Sequence, residues 1–312
     1  MDNFAILTDA GGDFTREIIE KYGIEETPIS TIVWPDNTER PADLYWDTMK
    51  PDEYFALMSN KNNDFKSSIP SPQTIINRLS ALAEAGRNII VFTISSKMSG
   101  GFSAFTVAAK EVMAKYPEIK IEVIDSLRYS AAITLLAIEA SICRSEGMSF
   151  DESVEYLQAF RLRIHQCGFL DDLFFLARKG RIKKSLAFMG NMIGVKPMAD
   201  LCNETGLSQV IGKARGYKQV MKVFPKYIQR TIGDYRNKAF VITYSAREKQ
   251  ALEMKRIIEE TFRPEHLIFV PMGQSTGANV GPGLAAAFYA GDEKVSENCE
   301  KEKAILEELL KK

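Results

Sequence analysis

Apolar and polar residues in the first half of the chain repeat in the order strand, polar loop, helix. The apolar run NFAIL at 3–7 is followed by the polar turn TDAGGD and by FTREIIEKYG, whose apolar residues have helical spacing. The same order recurs from NIIVFTI at 88–94 and from KIEVI at 120–124. Strands that are apolar along their length are covered on both faces, so the pattern predicts a doubly wound, mostly parallel α/β sheet.

The pattern changes near residue 150. DESVEYLQAFRLRI predicts a helix capped by Ser149 or Asp151, and DDLFFLARKGRI predicts a helix that ends at Gly180. VKPMADL and LSQVIGKA, joined by the turn CNETG, predict an antiparallel hairpin. The helix GYKQVMKVFPKYIQRT, kinked or split at Pro225, and the helix EKQALEMKRIIEETF then alternate with the strands KAFVITYS and HLIFVPM.

These two patterns predict an α/β domain over 1–160 and an α+β domain over 161–290. Near the end of the second domain, GQSTGANVGPG predicts an amide-rich loop, and LAAAFYAG predicts a short helix after it. The charged, amphipathic segment SENCEKEKAILEELLKK predicts a helical tail over 291–312.

Composition and charge exclude several classes of protein. A net charge of −1 on 312 residues does not favour binding of nucleic acid or an anionic membrane. The first residues lack the apolar run of an export signal, and no apolar stretch approaches the roughly 20 residues that cross a bilayer. Four cysteines without paired spacing predict reduced thiols in a cytoplasmic protein. His165 and His266 lie outside any metal-spacing motif, so we expect no histidine-based metal centre.

Hydroxyl groups are frequent in the loops after the predicted strands of the first domain, where ligands bind in open α/β sheets. Serine also caps helices and turns. We assign this structural role to Ser71, Ser95, Ser126 and Ser130. Ser99 differs because Gly100, Gly101 and a predicted helix follow it, and bare amides at the positive end of a helix stabilise a negatively charged oxygen.

The loop GQSTGANVGPG is a second candidate for binding a polar group. Gly281, Gly283 and Ala286 fit G-x-G-x-x-A, but proline occupies the middle position and too little chain follows for a βαβ unit. We therefore reject a dinucleotide site and keep an amide-rich loop in the second domain. Two such loops in two domains predict a polar head group held at the domain interface.

Other chemistries lack their motifs. The chain contains no G-x-x-x-x-G-K-[ST], no G-x-S-x-G and no histidine near the serine loops, which disfavours ATP binding through a P-loop and disfavours hydrolysis. Seven cations lie between residues 179 and 215. They form either a solvated surface, the more common outcome, or a basic rim for an acidic head group or a partner protein.

Eight motifs together resemble the DegV family in order and spacing. They are LTDAGGD, SSIPSP, ISSKMSGGFSAF, VIDSLRYSAA, LARKGRI, GVKPM, KARGYKQV and NVGPG, and they span residues 3 to about 290. The resemblance implies a two-domain α/β protein that holds one long-chain fatty acid between its domains and uses no metal or other cofactor. It also implies a non-catalytic role, because several DegV proteins present the acid to a separate ATP-binding subunit of a bacterial fatty acid kinase.

The resemblance also assigns site residues. Those implied to bind the ligand are Ser67, Ser68, Ser99, Gly100, Asn279 and Gly281, and those implied at the rim, toward the head group or a partner, are Arg181 and Arg215. Ser99 and Ser67 would each hold one carboxylate oxygen. Asn279 stands where the family has histidine; it can donate a hydrogen bond but cannot carry a charge. We therefore expect lipid binding with weaker support of phosphoryl transfer.

The alkyl chain would need a dry tunnel. Candidate lining residues are Phe102, Phe105, Ile133, Leu136, Phe169, Phe188 and Met189, although each taken singly is typical of an ordinary core. The alternative function is a stand-alone lipid carrier or sensor without a kinase partner. A subunit of a small-ketone kinase is a weaker alternative, because its substrate is anchored by a histidine that this chain lacks in the relevant loop.

Overall fold

The structure is a computed structural model that describes residues 4–60, 62–182, 194–233 and 239–311. The strands of the first half are β1 (Ala5–Thr8), β2 (Thr31–Val33), β3 (Glu39–Pro41), β4 (Lys66–Ser68), β5 (Ile89–Thr93) and β6 (Ile121–Asp125). Its helices are α1 (Arg16–Tyr22), α2 (Pro51–Met58), α3 (Pro72–Glu84), α4 (Gly101–Lys115), α5 (Ala131–Ser145) and α6 (Phe150–Phe160).

The second half begins at β7 and continues to the C-terminal helix. Its strands are β7 (Ile164–Leu170), β8 (Val195–Cys202), β9 (Leu207–Arg215), β10 (Ala239–Ser245), β11 (His266–Pro271) and β12 (Leu284–Ala290). Its helices are α7 (Leu173–Arg178), α8 (Gly216–Thr231), α9 (Glu248–Thr261), α10 (Gln274–Val280) and α11 (Glu300–Lys311).

The first half contains the parallel sheet that the sequence predicts. Its strand order is β1-β5-β6, with both pairs parallel. Helices α3 and α4 pack on one face, and α1 and α5 pack on the other, so the strands are buried on both sides. Local signals set the helix ends: the Ser71 hydroxyl accepts from the N–H of Thr74 before α3, and Gly23 ends α1 with φ of 56°.

The second half forms a six-stranded mixed sheet in the order β11-β10-β12-β7-β8-β9. The predicted hairpin is confirmed as β8 and β9. Helices α8, α9 and α11 cover the outer face, where Leu306 of α11 is fully buried. Helix α8 continues through Pro225, so of the predicted kink or split the split is wrong. The predicted cap Ser149 is confirmed before α6, but this helix ends at Phe160. The domain boundaries at 160 and 290 stay a prediction.

The segment before the C-terminal tail differs from the prediction. Gln274–Val280 is the helix α10, and Leu284–Ala290 is the strand β12. Alanine favours a helix in isolation, but β12 lies between β10 and β7 and all its residues are buried. Backbone pairing with a strand on each side overrides this local preference. Gly281, with φ of 78°, ends α10.

Helix α5 lies between the parallel sheet and the six-stranded mixed sheet. It packs against β1 and β5 on one side and against β10 and β12 on the other, and every residue from 131 to 140 is buried. Glu139 is the charged residue in this stretch, and its carboxylate accepts a hydrogen bond from the Tyr156 hydroxyl at 2.6 Å. A small antiparallel sheet, β3-β2-β4, lies beside α10.

Buried hydrogen bonds join the loop after β1 to the start of α10. Asp13 accepts from the Ser130 hydroxyl at 2.5 Å and from the Gly273 N–H at 2.9 Å, and the Thr276 hydroxyl donates to the Gly11 carbonyl at 2.8 Å. Burial raises the pKa of Asp13 to about 6, although the bond from Ser130 opposes this shift. These bonds hold the carboxyl ends of β1 and β11 together.

A substitution at Gly168 would test how closely β7 and β12 approach each other. A Cβ at this position would stand 2.3 Å from the Ala285 carbonyl oxygen and 2.4 Å from the Ala286 Cα, both in the backbone of β12. We expect Gly168→Ala to lower the free energy of unfolding by about 1–3 kcal/mol or more, measured by urea denaturation. Gly100→Ala is the matched control, because its nearest atom would lie 4.0 Å away; it should cost about 1 kcal/mol at most. Equal effects would contradict the close strand approach.

Candidate functional site

A cleft opens where the parallel sheet, the six-stranded mixed sheet and the small antiparallel sheet meet. It encloses about 880 Å³, open solvent at its mouth included. Its polar lining consists of Asp9, Ser30, Ser67, Ser68, Ser99, Tyr129, Arg181, Ser208, Ser275, Thr276 and Asn279. Its apolar lining includes Ile69, Pro70, Ile94, Met98, Phe105, Leu176, Ile182 and Val280.

Two serine hydroxyls in this lining already accept hydrogen bonds from the protein. The Ser99 Oγ accepts from the Gly101 N–H at 3.2 Å, and the Ser67 Oγ accepts from the Asn279 Nδ2 at 2.8 Å. Within the described ranges, neither hydroxyl donates to a protein acceptor. Each hydroxyl therefore has a hydrogen available for an acceptor in the cleft, as a carboxylate or carbonyl oxygen would be.

Asn279 uses both hydrogens of its amide nitrogen on the protein. They go to the Ser67 Oγ at 2.8 Å and to the Ser275 carbonyl at 3.0 Å, one turn earlier in α10. The Ser275 Oγ in turn lies 2.7 Å from the Ser30 Oγ, a contact that ties α10 to the small sheet. Asn279 thus orients the Ser67 hydroxyl, and in this arrangement it has no further hydrogen to donate to a ligand.

The structure brings five of the eight residues implied by the resemblance into the cleft lining. They are Ser67, Ser68, Ser99, Arg181 and Asn279. Of the other three, Gly100 is exposed at the start of α4, and Arg215 is exposed at the end of β9. Gly281 lies beside the Phe175 ring, its carbonyl accepting from the Ser245 hydroxyl at 2.7 Å.

The candidate tunnel residues separate into different parts of the molecule. Phe105 lines the cleft, and Ile133 and Leu136 belong to the core around α5. Phe169 packs in the core on the outer side of the second sheet, 4.9 Å from the Tyr217 ring between centroids, so it does not face the cleft. Phe188 and Met189 lie outside the described residues.

Several lining residues were missed by the sequence analysis. Ser275 and Thr276 lie one turn before Asn279, and the spacing of Ser275 and Asn279 places both on one helix face. This spacing can be recognised as one face only when residues 274–280 are assigned as a helix. Asp9 and Tyr129 follow strands of the parallel sheet, and burial raises the pKa of the Tyr129 phenol.

The basic cluster between residues 179 and 215 is not uniform. The Lys179 ammonium bonds to the Asp64 carboxylate and the Phe65 carbonyl, and Lys196 pairs with Asp171 at 2.6 Å. These two cations pair with carboxylates of the protein, whereas Arg181 lines the cleft and donates to the Lys179 carbonyl at 3.1 Å. Lys183 and Lys184 lie outside the described residues.

The described part of the chain has neither a metal-binding cluster nor a membrane-spanning helix. It contains no group of three or more histidine, cysteine, aspartate or glutamate side chains arranged to hold a metal ion. None of its helices combines the length and the apolar character needed to cross a membrane.

The sequence also matches the model of a known family. The model is described as "Uncharacterised protein, DegV family", and it matches residues 3–292. The chain belongs to the DegV family. Among curated DegV relatives, a DegV domain-containing protein of Clostridium perfringens is 24% identical over 299 residues, which cover 94% of this chain and 99% of that protein.

Solved structures of other DegV proteins share the fold. A stearic acid-binding protein of Eubacterium ventriosum superposes with a TM-score of 0.79 at 21% identity, over 92% of this chain and 97% of that one. The fatty acid kinase (Fak) B3 protein of Streptococcus pneumoniae, loaded with linoleic acid, gives a TM-score of 0.78 at 21% identity, over 93% and 100%. These similarities establish the two-sheet DegV architecture for this chain.

Measurements of protein stability can test the two hydrogen bonds that the Asn279 amide donates. Asn279→Asp keeps the shape but places a carboxylate oxygen against the Ser275 carbonyl, which loses its donor. We expect the free energy of unfolding to fall by about 1–3 kcal/mol in urea denaturation. Asn77→Asp is the control, because exposed Asn77 only accepts a bond, from Gln73 at 2.7 Å, and should change stability by about 0.5 kcal/mol or less. Equal stability of both variants would exclude this role of Asn279.

Proposed function

We propose that the cleft binds one long-chain fatty acid, with its carboxylate at Ser67 and Ser99 and its alkyl chain along the apolar lining. The observation that carries the proposal is the state of these two hydroxyls: both already accept protein hydrogen bonds and so offer donors in a mostly apolar cleft. A carboxylate accepts several donors, and bonds to a charged acceptor are the stronger kind. The fatty acids held by the Eubacterium ventriosum and Streptococcus pneumoniae proteins support the same ligand class.

Tail and head group contribute differently to this binding. Each methylene group removed from water contributes about 0.8 kcal/mol, so a long alkyl chain supplies most of the affinity. A hydrogen bond to a charged group contributes about 1.5–3 kcal/mol. The hydroxyls therefore position the carboxylate more than they retain the lipid.

We further propose that the chain is a non-catalytic binding subunit that presents the acid to an ATP-binding kinase subunit. The name of the Streptococcus pneumoniae relative, a fatty acid kinase B3 protein, supports such a partner. The sequence carries no P-loop motif of its own. Arg181 in the cleft lining and exposed Arg215 at the end of β9 are the candidate contacts. A stand-alone lipid carrier or sensor remains the alternative.

Native mass spectrometry tests the ligand. Protein from bacterial expression should carry the added mass of one long-chain fatty acid. After lipid removal, Ser99→Ala should bind the acid about 10- to 150-fold more weakly, the equivalent of one charge-assisted hydrogen bond. Ser103→Ala, on the exposed face of the same helix, should bind like the parent chain. A lipid-free protein that also fails to bind added acid would overturn the proposal, and equal affinities of both variants would remove Ser99 from the head-group site.

Charge reversal tests the kinase partner. Arg215→Glu should leave lipid binding intact and weaken association with an ATP-binding fatty acid kinase subunit about tenfold or more, measured by calorimetry at low salt, where screening is weakest. Lys226→Glu, an exposed cation on the outer helix α8, should associate like the parent chain. Absence of association with the parent chain would favour the stand-alone carrier. Equal weakening by both variants would indicate a general charge effect and no specific role of Arg215.

A further inference from the structure

Asp9 is a carboxyl group fixed at the floor of the cleft. It follows β1, and its side chain lines the cleft although the residue is only 5% exposed. Its Oδ1 accepts from the Gly11 N–H and its Oδ2 accepts from the Ile94 N–H, both at 2.9 Å. Each oxygen keeps a second lone pair, so the carboxyl group has a set orientation and capacity for a further bond.

The Asp9 carboxyl and the Ser99 hydroxyl both lie near the start of α4. Both flank Gly101, the first residue of α4, since a Cβ built on that glycine would stand 2.9 Å from the Asp9 Oδ2 and 3.6 Å from the Ser99 Oγ. The missing side chain is what allows Asp9 to approach the helix start. Because both atoms lie near this one point and both residues line the cleft, a carboxylate held by Ser99 would lie close enough to Asp9 for their charges to repel each other.

The other groups around Asp9 leave its charge largely uncompensated. Asp125, at the end of β6, repels it, and Arg181 is the cation of the described cleft lining. The residues that β4 and α10 contribute to the lining are uncharged, and Tyr129 is a phenol. Burial raises the pKa of Asp9 to about 6, against the two backbone hydrogen bonds, and the repulsion from Asp125 adds to the rise.

We propose that binding of a carboxylate ligand is coupled to uptake of one proton, which Asp9 and the ligand carboxylate share. The proton comes from solvent and returns to it on release, so the occupied site carries one negative charge from the two carboxyl groups. The inference rests on the proposed function, because it requires a carboxylate at Ser99. Two adjacent carboxyl groups that share a proton titrate as a unit.

The coupling gives affinity a defined pH dependence. Below about pH 6, Asp9 is protonated before the ligand arrives, and binding takes up no proton. Above this pH, each binding event must take a proton from solvent, so affinity falls by up to about tenfold per pH unit. The fall ends above the pKa that the pair has in the complex. A ligand with the same tail and an uncharged head would bind without this dependence.

Calorimetry on the lipid-free parent chain measures the proton directly. Laurate, kept below its micelle concentration, is titrated at about pH 7.5 in two buffers of different ionisation enthalpy, and lauryl alcohol is titrated as the uncharged control. We expect uptake of about one proton with laurate and none with the alcohol. Binding of both ligands without proton uptake would overturn the inference and leave the proposed function intact. Binding of neither would instead overturn the proposed function.

Two variants identify the carboxyl group responsible. Asp9→Asn should abolish the proton uptake and flatten the pH dependence of laurate affinity, whereas Asp125→Asn, at the neighbouring strand end, should retain the uptake. The reverse result, with uptake lost only in Asp125→Asn, would exclude Asp9. Asp9→Asn leaves one of the two backbone N–H donors without an acceptor, and the variant could fail to fold for this reason. The calorimetry of the parent chain needs no substitution, so it tests the inference in that case too.

Discussion

Helix α5 is buried between two sheets, and the position of the cleft follows from this packing. From residue 131 to 140 this helix has no solvent-facing side, so it must contact the parallel sheet and the mixed sheet at once. Its start is fixed by Ser130, whose hydroxyl donates to Asp13, which also accepts from the Gly273 N–H. The two sheets are thereby held with the ends of β1 and β11 together, and the cleft lies at this junction.

Two buried carboxyl groups follow β1, and their surroundings give them different roles. Asp13 joins the sheets, because its partners come from α5 and from the segment before α10. Asp9 bonds to backbone groups at the ends of β1 and β5, and it faces the cleft. Burial raises the pKa of both, but of the two only Asp9 lines the cleft.

The candidate site is assembled from segments far apart in the chain. Ser99 comes from the parallel sheet, Ser67 from the small sheet, and Asn279 from α10 of the second half. Asn279 acts on Ser67 across this junction, because its amide donates to that hydroxyl and leaves the hydroxyl hydrogen for a ligand. Hydroxyl donors in a mostly apolar cleft are consistent with the proposed fatty acid, whose tail would supply affinity and whose head would supply orientation.

The sequence alone is enough to predict the parallel strands, the helices between them and the hairpin of β8 and β9, because apolar periodicity and helix caps are local signals. Its family motifs also mark Ser67, Ser99 and Asn279 as candidates. It did not determine β12, whose alanines favour a helix until two neighbouring strands enclose them, or the helix α10. The three-dimensional fold brings Asp9 and Ser99 to the same end of α4, near Gly101. It also lets Asn279 donate its two amide hydrogens to the Ser67 hydroxyl and the Ser275 carbonyl. These contacts join residues distant in sequence, so no local pattern of residues records them.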